Sequence, residues 1–206
     1  MFTFDNHTAR KKGETKKWFT SDLHHDHTSI TKYTDRYRVT SAEEHNDWLR
    51  DIWNAQVMKG DIVYHVGDFS FSDDARKVNE FVNTLNGKII FIKGNHDRTH
   101  VLDALTVCEY HEQHQYLEAK ITKEQKAVMF HFPIASWHGQ SRGVWHLHGH
   151  SHGNLSADVS RGKMLDVGID NAYNLYGEFT FFDVGMIERY METREQFIAD
   201  DHRGKR

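Results

Sequence analysis

The sequence has one cysteine, one proline and no long hydrophobic run. The lone cysteine, Cys108, cannot form an intramolecular disulfide, and no charged segment followed by a long apolar run opens the chain. The longest apolar runs, such as KIIFI at residues 88–92, fall far short of the roughly 20 residues that cross a bilayer. These absences predict a protein of a reducing, cytoplasmic compartment with no membrane association.

The chain also lacks an excess of positive charge. Its 26 lysines and arginines face 30 aspartates and glutamates, which gives a formal net charge of -4. A dedicated nucleic-acid-binding module carries a basic surplus, so the composition argues against one. Pro133 is the only proline, and no glycine- or serine-rich linker or internal repeat interrupts the 206 residues. We therefore expect a single domain over residues 1–206.

Histidine, in contrast, occurs 17 times. The stretch VWHLHGHSHG, residues 144–153, places His146, His148, His150 and His152 at alternate positions, which share one side of an extended chain. A tag, a solvated loop or chance composition gives the same local pattern, although the histidines are spread along the chain and are not massed at one terminus. The role of this stretch therefore depends on the rest of the sequence.

Short apolar runs rich in β-formers alternate with segments of helical period, which predicts an α/β domain. Ser41 and Glu44 form a capping-box signature ahead of a helix with apolar positions 48, 49, 52, 53 and 57. A second apolar stripe, residues 75–85, is followed by Asn86 and Gly87, a pair typical of helix ends. A third helix is predicted after Asp183.

Five predicted strands each lead into polar side chains that can bind a metal. In open α/β sheets the ligand crevice lies outside the carboxyl ends of the strands, so we expect these side chains to converge on one site. The strands and the residues that follow them are 18–20 before Asp22 and His24, 62–66 before Asp68, 89–92 before Asn95, 127–130 before His131, and 144–147 before His150 and His152.

These seven side chains offer carboxylate oxygen, amide oxygen and imidazole nitrogen, but no thiolate. Such a set suits Mn, Fe or Zn better than Mg. One ion could not use all seven, which predicts two ions bridged by Asp68. The two carboxylates neutralise only part of the charge on two divalent ions. The surplus attracts an anion and turns a bound water into hydroxide near neutral pH, so the expected substrate is a phosphate ester.

Five motifs together resemble the calcineurin-like metallophosphoesterase family in residue types and order: DxH at 22–24, GD at 67–68, GNHD at 94–97, a histidine at 131 and GHxH at 149–152. The resemblance covers residues 18 to about 170. It implies a four-layer α-β-β-α sandwich of two mixed β-sheets with flanking helices. A centre of two divalent transition-metal ions would lie on the sheet edges, with Mn preferred over Fe or Zn.

The resemblance also assigns roles to individual residues. His96 resembles the general acid that protonates the leaving-group oxygen after a metal-bridging hydroxide attacks phosphorus, and Asp97 would fix the GNHD segment. The first motif departs from the commoner DxHG form, and we interpret His27 as a phosphate contact or a neighbour of the ligands. The implied ligands are Asp22, His24, Asp68 and His152 for one ion, and Asp68, Asn95, His131 and His150 for the other.

The substrate is the least determined feature. Arg36 is a candidate phosphate contact, although a surface arginine explains its position equally well. Because no arginine cluster is placed to grip a monoester dianion, we favour a phosphodiester, with a nucleotide among the candidates. The alternatives are a phosphomonoesterase, a nuclease, or, less favoured, a non-catalytic metal-binding scaffold, for which His96 would have no use. The nuclease alternative rests on a basic stretch formed by Lys11, Lys12, Lys16 and Lys17.

Overall fold

The predicted apolar runs form strands of two mixed β-sheets in the computed structural model. The structure describes residues 13–36, 39–105, 112–156 and 162–197, so Cys108, Lys11 and Lys12 lie outside the described residues. The first sheet contains β1 (Lys17–Thr20), β2 (Ile62–Val66), β3 (Lys88–Ile92), β4 (Glu112–His114) and β9 (Phe182–Asp183). Its order is β4-β3-β2-β1-β9, in which β1 to β4 are parallel and β9 is antiparallel to β1.

The second sheet contains β5 (Tyr116–Lys120), β6 (Lys126–Phe130), β7 (Trp145–His148) and β8 (Met164–Asp166), in that spatial order. The last three strands are parallel, and β5 is antiparallel to β6. Alternate side chains of both sheets form the core between them, including Phe19 and Ile90 from the first sheet and Met129 and Leu147 from the second. Because the strands run parallel, their carboxyl ends share one edge, where the motifs lie.

The helices are α1 (Ala42–Gln56), α2 (Ala75–Val82), α3 (Thr99–Asp103), α4 (Ile169–Tyr176) and α5 (Val184–Glu192). Leu49 and Trp53 of α1 pack with Trp18, Val63 and Ile89 on the outer face of the first sheet. The predicted α/β sandwich of two mixed sheets with flanking helices is therefore confirmed. Within the described ranges, no helix combines the length and apolar character that a membrane crossing requires.

Helix ends follow the sequence signals closely. Ser41 Oγ accepts a hydrogen bond from the Glu44 amide at 3.1 Å, as a capping box predicts, but the Glu44 carboxylate accepts from the amide of Thr40 at 2.8 Å. The helix α2 ends at Val82, earlier than the stripe to Leu85 predicts, because the next turn tightens into i to i+3 hydrogen bonds. The helix predicted after Asp183 is α5.

Candidate metal centre

The loops after β1, β2, β3, β6 and β7 bring the predicted ligands together. Six of these residues form two groups, and within each group the potential ligand atoms all lie within 4.8 Å of one another. Donors about 2.1 Å from one ion are at most roughly 4.2 Å apart, so a slight contraction lets each group hold an ion. The first group is Asp22, His24 and His152, and the second group is Asp68, His131 and His150.

Asp68, a member of the second group, also faces the first group. Its Oδ2 is 3.3 Å from Nε2 of His131 in the second group and 3.8 Å from Nε2 of His24 in the first group. Its Oδ1 accepts a hydrogen bond from the His96 amide at 2.8 Å, which holds the carboxylate in this orientation. One carboxylate oxygen therefore faces donors of both groups.

Asn95 joins the second group through its amide oxygen. Asn95 Oδ1 lies 3.1 Å from Nε2 of His131 and 3.0 Å from Nδ1 of His150. All seven residues that the sequence singled out as ligands thus surround one centre, although they come from five separate loops.

The backbone of the centre is held in an unusual conformation. Among the residues that the structure describes, six other than glycine have positive φ, and five of them are predicted ligands. Each such residue costs of order 1–3 kcal/mol and persists only because its surroundings enforce the conformation. The six residues, with φ from 47° to 69°, are Asp22, His24, Asp26, Asp68, His150 and His152.

The four alternating histidines do not share one face. Only His146 and His148 lie on β7, and the chain turns before His150 and His152.

Two motif glycines allow the loops to approach the carboxylates. A Cβ atom on Gly94 would lie 2.2 Å from both the backbone nitrogen and Oδ1 of Asp68. A Cβ atom on Gly149 would lie 2.4 Å from Ser21 Oγ and 2.5 Å from Asp22 Oδ2. Side chains at these positions would displace the carboxylates, which explains why GNHD and GHxH begin with glycine.

Hydrogen bonds from outside the centre orient two of the imidazoles. Nδ1 of His131 lies 2.9 Å from the Val66 carbonyl oxygen, so it donates there and Nε2 faces Asp68. Nδ1 of His152 lies 2.6 Å from Asp170 Oδ2, and its Nε2 faces Asp22 Oδ1 at 3.9 Å. Such outer partners fix the ring orientation and the tautomer of metal-binding histidines.

Arg36 does not occupy the position that the sequence suggested. Its side chain is fully buried, and Nε and Nη2 donate to the two carboxylate oxygens of Asp170 at 2.8 and 2.7 Å. The same guanidinium donates to the carbonyl oxygens of Leu23, at 2.8 Å, and Asp22. The interpretation of Arg36 as a phosphate contact is therefore wrong, because its donors point into the protein.

Asp170 is the main residue of this region that the sequence did not single out. It lies in the first turn of α4 and joins Arg36 to His152. Burial opposes its charge, but the Arg36 guanidinium and His152 lower the pKa of Asp170 to about 2. No motif marks this residue; the only signal was a carboxylate placed directly after the buried strand β8 and its loop.

Asp97 has a structural position within the centre. Its carboxylate is buried and accepts hydrogen bonds from the amides of Asp68, Phe69 and Gly94 at 2.8 Å, and from Ser70 at 3.2 Å. These contacts tie the GD loop to the GNHD loop. They are the contacts expected of a residue that fixes the GNHD segment, which is the role that the family resemblance implies for Asp97.

His96 and His27 lie at the open side of the centre. His96 Nε2 is 4.0 Å from Asp68 Oδ2, and 42% of its side chain is exposed. His27 Nδ1 is 3.4 Å from Nδ1 of His24, and the His27 ring stacks on Phe71 with centroids 4.1 Å apart. Both imidazoles can therefore reach a ligand that approaches Asp68 from solvent.

Burial determines the protonation of two residues of the first group. It raises the pKa of Asp22 to about 7 and lowers the pKa of His24 to about 2. His24 is therefore neutral, and within the described residues its buried Nε2 has no hydrogen-bond partner. A cation would stabilise this arrangement, because it would use the free imidazole lone pair and favour the charged carboxylate.

The second group holds a proton where a cation could bind. Burial opposes the charged form of His131, but the Asp68 carboxylate raises the pKa of His131 to about 9. Burial also opposes the charge of Asp68, and its contact with His131 nevertheless moves the pKa of Asp68 well below the usual range. A metal ion would displace this proton on binding. The residues of both groups thus fit divalent cations.

A cleft of about 310 Å³ opens beside the first group. Lys32, Tyr33, Asn154 and Tyr173 line it together with Asp170 and His152, so its wall is mainly polar. The cleft offers room next to the metal groups for part of a bound molecule.

Comparisons with known proteins agree with this geometry. A profile of the family described as calcineurin-like phosphoesterase matches residues 15–202. An uncharacterized protein of Methanocaldococcus jannaschii is 36% identical over 140 residues, which are 68% of this chain and 70% of that protein. The Gene 66 protein of Mycobacterium phage D29 is 27% identical in an alignment of 182 residues that covers 77% of this chain and 89% of that protein.

One solved structure is similar to this chain in its fold. The crystal structure of a protein of unknown function from Aquifex aeolicus has a TM-score of 0.64 and 16% sequence identity, and covers 86% of this chain and 100% of that one.

Proposed function

The chain belongs to the calcineurin-like phosphoesterase family, and from that membership we propose that its two metal groups serve the hydrolysis of a phosphodiester. The family and the two histidine–aspartate groups identify a metal-dependent phosphoesterase, a hydrolase of phosphate esters. The observation that carries the two-ion proposal is the position of Asp68 Oδ2, 3.3 Å from His131 and 3.8 Å from His24.

We assign four protein ligands to each ion and Mn to both positions, with Fe or Zn as alternatives that share the same donors. When bound, the ions would activate a water nucleophile and neutralise charge on the phosphoryl oxygens. The proposed ligands are Asp22, His24, Asp68 and His152 for the first ion, and Asp68, Asn95, His131 and His150 for the second.

The chain's own residues supply the remaining chemistry. His96, half-exposed beside Asp68, donates a proton to the leaving-group oxygen, which otherwise departs as an unstable alkoxide. His27 contacts a phosphoryl oxygen from the side of His24. Asp97 keeps the His96 segment in place through its bonds to the loop amides.

A diester suits this centre better than a monoester. A monoester dianion needs cations beyond the metals, and Arg36, the arginine predicted to serve, is buried against Asp170. A diester carries one negative charge and requires mainly the ions and a proton donor.

A long nucleic acid is less favoured as substrate. Lys17 lies at the amino end of β1, whereas the metal groups follow its carboxyl end. Its Nζ donates to the carbonyl oxygens of Lys120 and Ile121, both at 3.0 Å. This part of the basic stretch therefore links the two sheets and does not border the centre.

The general-acid assignment is tested by His96→Ala. We expect unchanged metal content and a turnover about 100-fold lower for a diester with a poor alkoxide leaving group, because the proton must then come from water. With bis(4-nitrophenyl) phosphate the loss should be much smaller, since nitrophenolate departs without protonation.

The matched control for this test is His100→Ala, which removes an exposed histidine of α3 whose ring contacts the Asp73 carbonyl. It should leave both rates unchanged. Equal losses for the two diesters in His96→Ala would show that His96 is not the proton donor, and metal loss in that variant would make it a ligand.

A further inference from the structure

Two phenylalanines are exposed at the rim of the metal centre. Phe71, after β2, is 42% exposed, and its ring centroid lies 5.0 Å from that of His96. Phe132, after β6, is 37% exposed, and its ring centroid lies 4.6 Å from that of His150. Single exposed apolar rings are common on protein surfaces, so this pair is distinguished by its position beside the proposed general acid and the proposed ligands.

The two rings contact different histidines that lie near one carboxylate oxygen. Phe71 contacts His96, whose Nε2 is 4.0 Å from Asp68 Oδ2. Phe132 lies 5.2 Å, between ring centroids, from His131, whose Nε2 is 3.3 Å from the same oxygen. A phosphate group seated at Asp68 would therefore have one aromatic ring on the side of His96 and another on the side of His131.

We propose that Phe71 and Phe132 bind the two organic substituents of the diester and that these substituents are planar and aromatic, as in a dinucleoside phosphate. This inference rests on the proposed function and names its substrate class. A monoester has one substituent and would leave one ring unused. Stacking a base on an aromatic side chain is worth roughly 5- to 150-fold in affinity.

The position of His96 distinguishes the two rings. His96 protonates the leaving group, so Phe71 beside it contacts the substituent that departs. Phe132 then holds the substituent that stays on the phosphate. The net charge of -4 favours a substrate of dinucleotide size over a long polyanion.

Two esters with the same 4-nitrophenolate leaving group test these assignments: thymidine 5′-(4-nitrophenyl phosphate) and methyl 4-nitrophenyl phosphate. In Phe132→Leu, the ratio of kcat/KM for the thymidine ester to that for the methyl ester should fall about tenfold, through KM. In Phe71→Leu the KM of both esters should rise with kcat unchanged, because both leaving groups are aromatic, whereas a ring that only positioned His96 would lower kcat instead. Tyr116→Leu is the matched control, since Tyr116 is 42% exposed on β5 and should change neither value.

The inference is overturned if Phe132→Leu and Tyr116→Leu have the same ratio of kcat/KM for the thymidine ester to kcat/KM for the methyl ester. It is also overturned if Phe132→Leu slows both esters equally, because the ring would then only support His150. If the parent protein has equal kcat/KM for the two esters, the inference is overturned but the proposed function is not.

A binding measurement separates stacking from catalysis. The uncharged methylphosphonate analogue of thymidylyl-thymidine should shift NMR signals around Phe71 and Phe132 in the metal-free protein, with about tenfold weaker binding in each leucine variant. If the protein hydrolyses neither ester but binds this analogue at both rings, the proposed function fails and the inference stands. Absence of such shifts would overturn the inference.

Discussion

Asp68→Asn should release at least one metal ion and lower turnover about 1,000-fold. Loss of an outer-shell partner alone weakens a metal site by about 10- to 100-fold, and Asp68 faces donors of both groups, so the effects multiply. Asparagine keeps the shape of the side chain and an oxygen that can accept the His96 amide hydrogen bond. An amide nitrogen, however, has no lone pair for a metal, and the negative charge between the ions is lost.

Metal analysis of the purified variant, together with kcat on bis(4-nitrophenyl) phosphate, measures both effects. Asp103→Asn provides the control, because Asp103 is exposed at the end of α3 and the same change there should alter neither value. An Asp68→Asn protein that retained two ions and full turnover would remove the basis of the shared-carboxylate assignment.

The positions of the proposed ligands were predictable because each of these residues follows a strand. The apolar runs that became β1, β2 and β3 lead directly into Asp22, Asp68 and Asn95, and parallel strands must bring these positions to one edge. The same logic applies to His131 after β6. The sequence pattern therefore predicted the position of the centre, because parallel strands bring these residues to the same edge of a sheet.

The conformation of the loops was not predictable in the same way. Four alternating histidines suggested an extended segment, but His150 and His152 adopt left-handed φ values. These values are enforced by contacts distant in sequence, such as the two hydrogen bonds, of 3.1 and 3.0 Å, from the His150 amide to the Asp22 carboxylate. A local pattern carries no information about such partners.

The short elements were also missed. The strands β4, β8 and β9 have only two or three residues, too few for a hydrophobic period to be visible. Burial of Arg36 was missed for a related reason, because its partner Asp170 lies 134 residues further along the chain. An arginine between two motifs looks the same in sequence whether it faces solvent or a buried carboxylate.

Replacing Arg36 tests this buried pair. Arg36→Leu should destabilise the protein by about 3–5 kcal/mol, because it leaves the Asp170 carboxylate buried without its cation. Arg36 holds the Asp170 carboxylate that orients His152, so we also expect roughly 10- to 100-fold weaker metal binding at the first group. Urea unfolding and metal titration at fixed buffer and metal concentration measure the two effects.

Arg50→Leu is the matched control, because Arg50 forms its ion pairs with Asp47 and Asp51 at the surface of α1. Exposed pairs contribute about 0–1 kcal/mol, so this variant should unfold close to the parent protein. The double variant Arg36→Leu/Asp170→Asn also removes the buried negative charge of Asp170, so it should recover part of the lost stability. This variant provides the test if Arg36→Leu alone does not fold. If Arg36→Leu and Arg50→Leu unfold at the same urea concentration, the Arg36–Asp170 pair does not stabilise the folded protein.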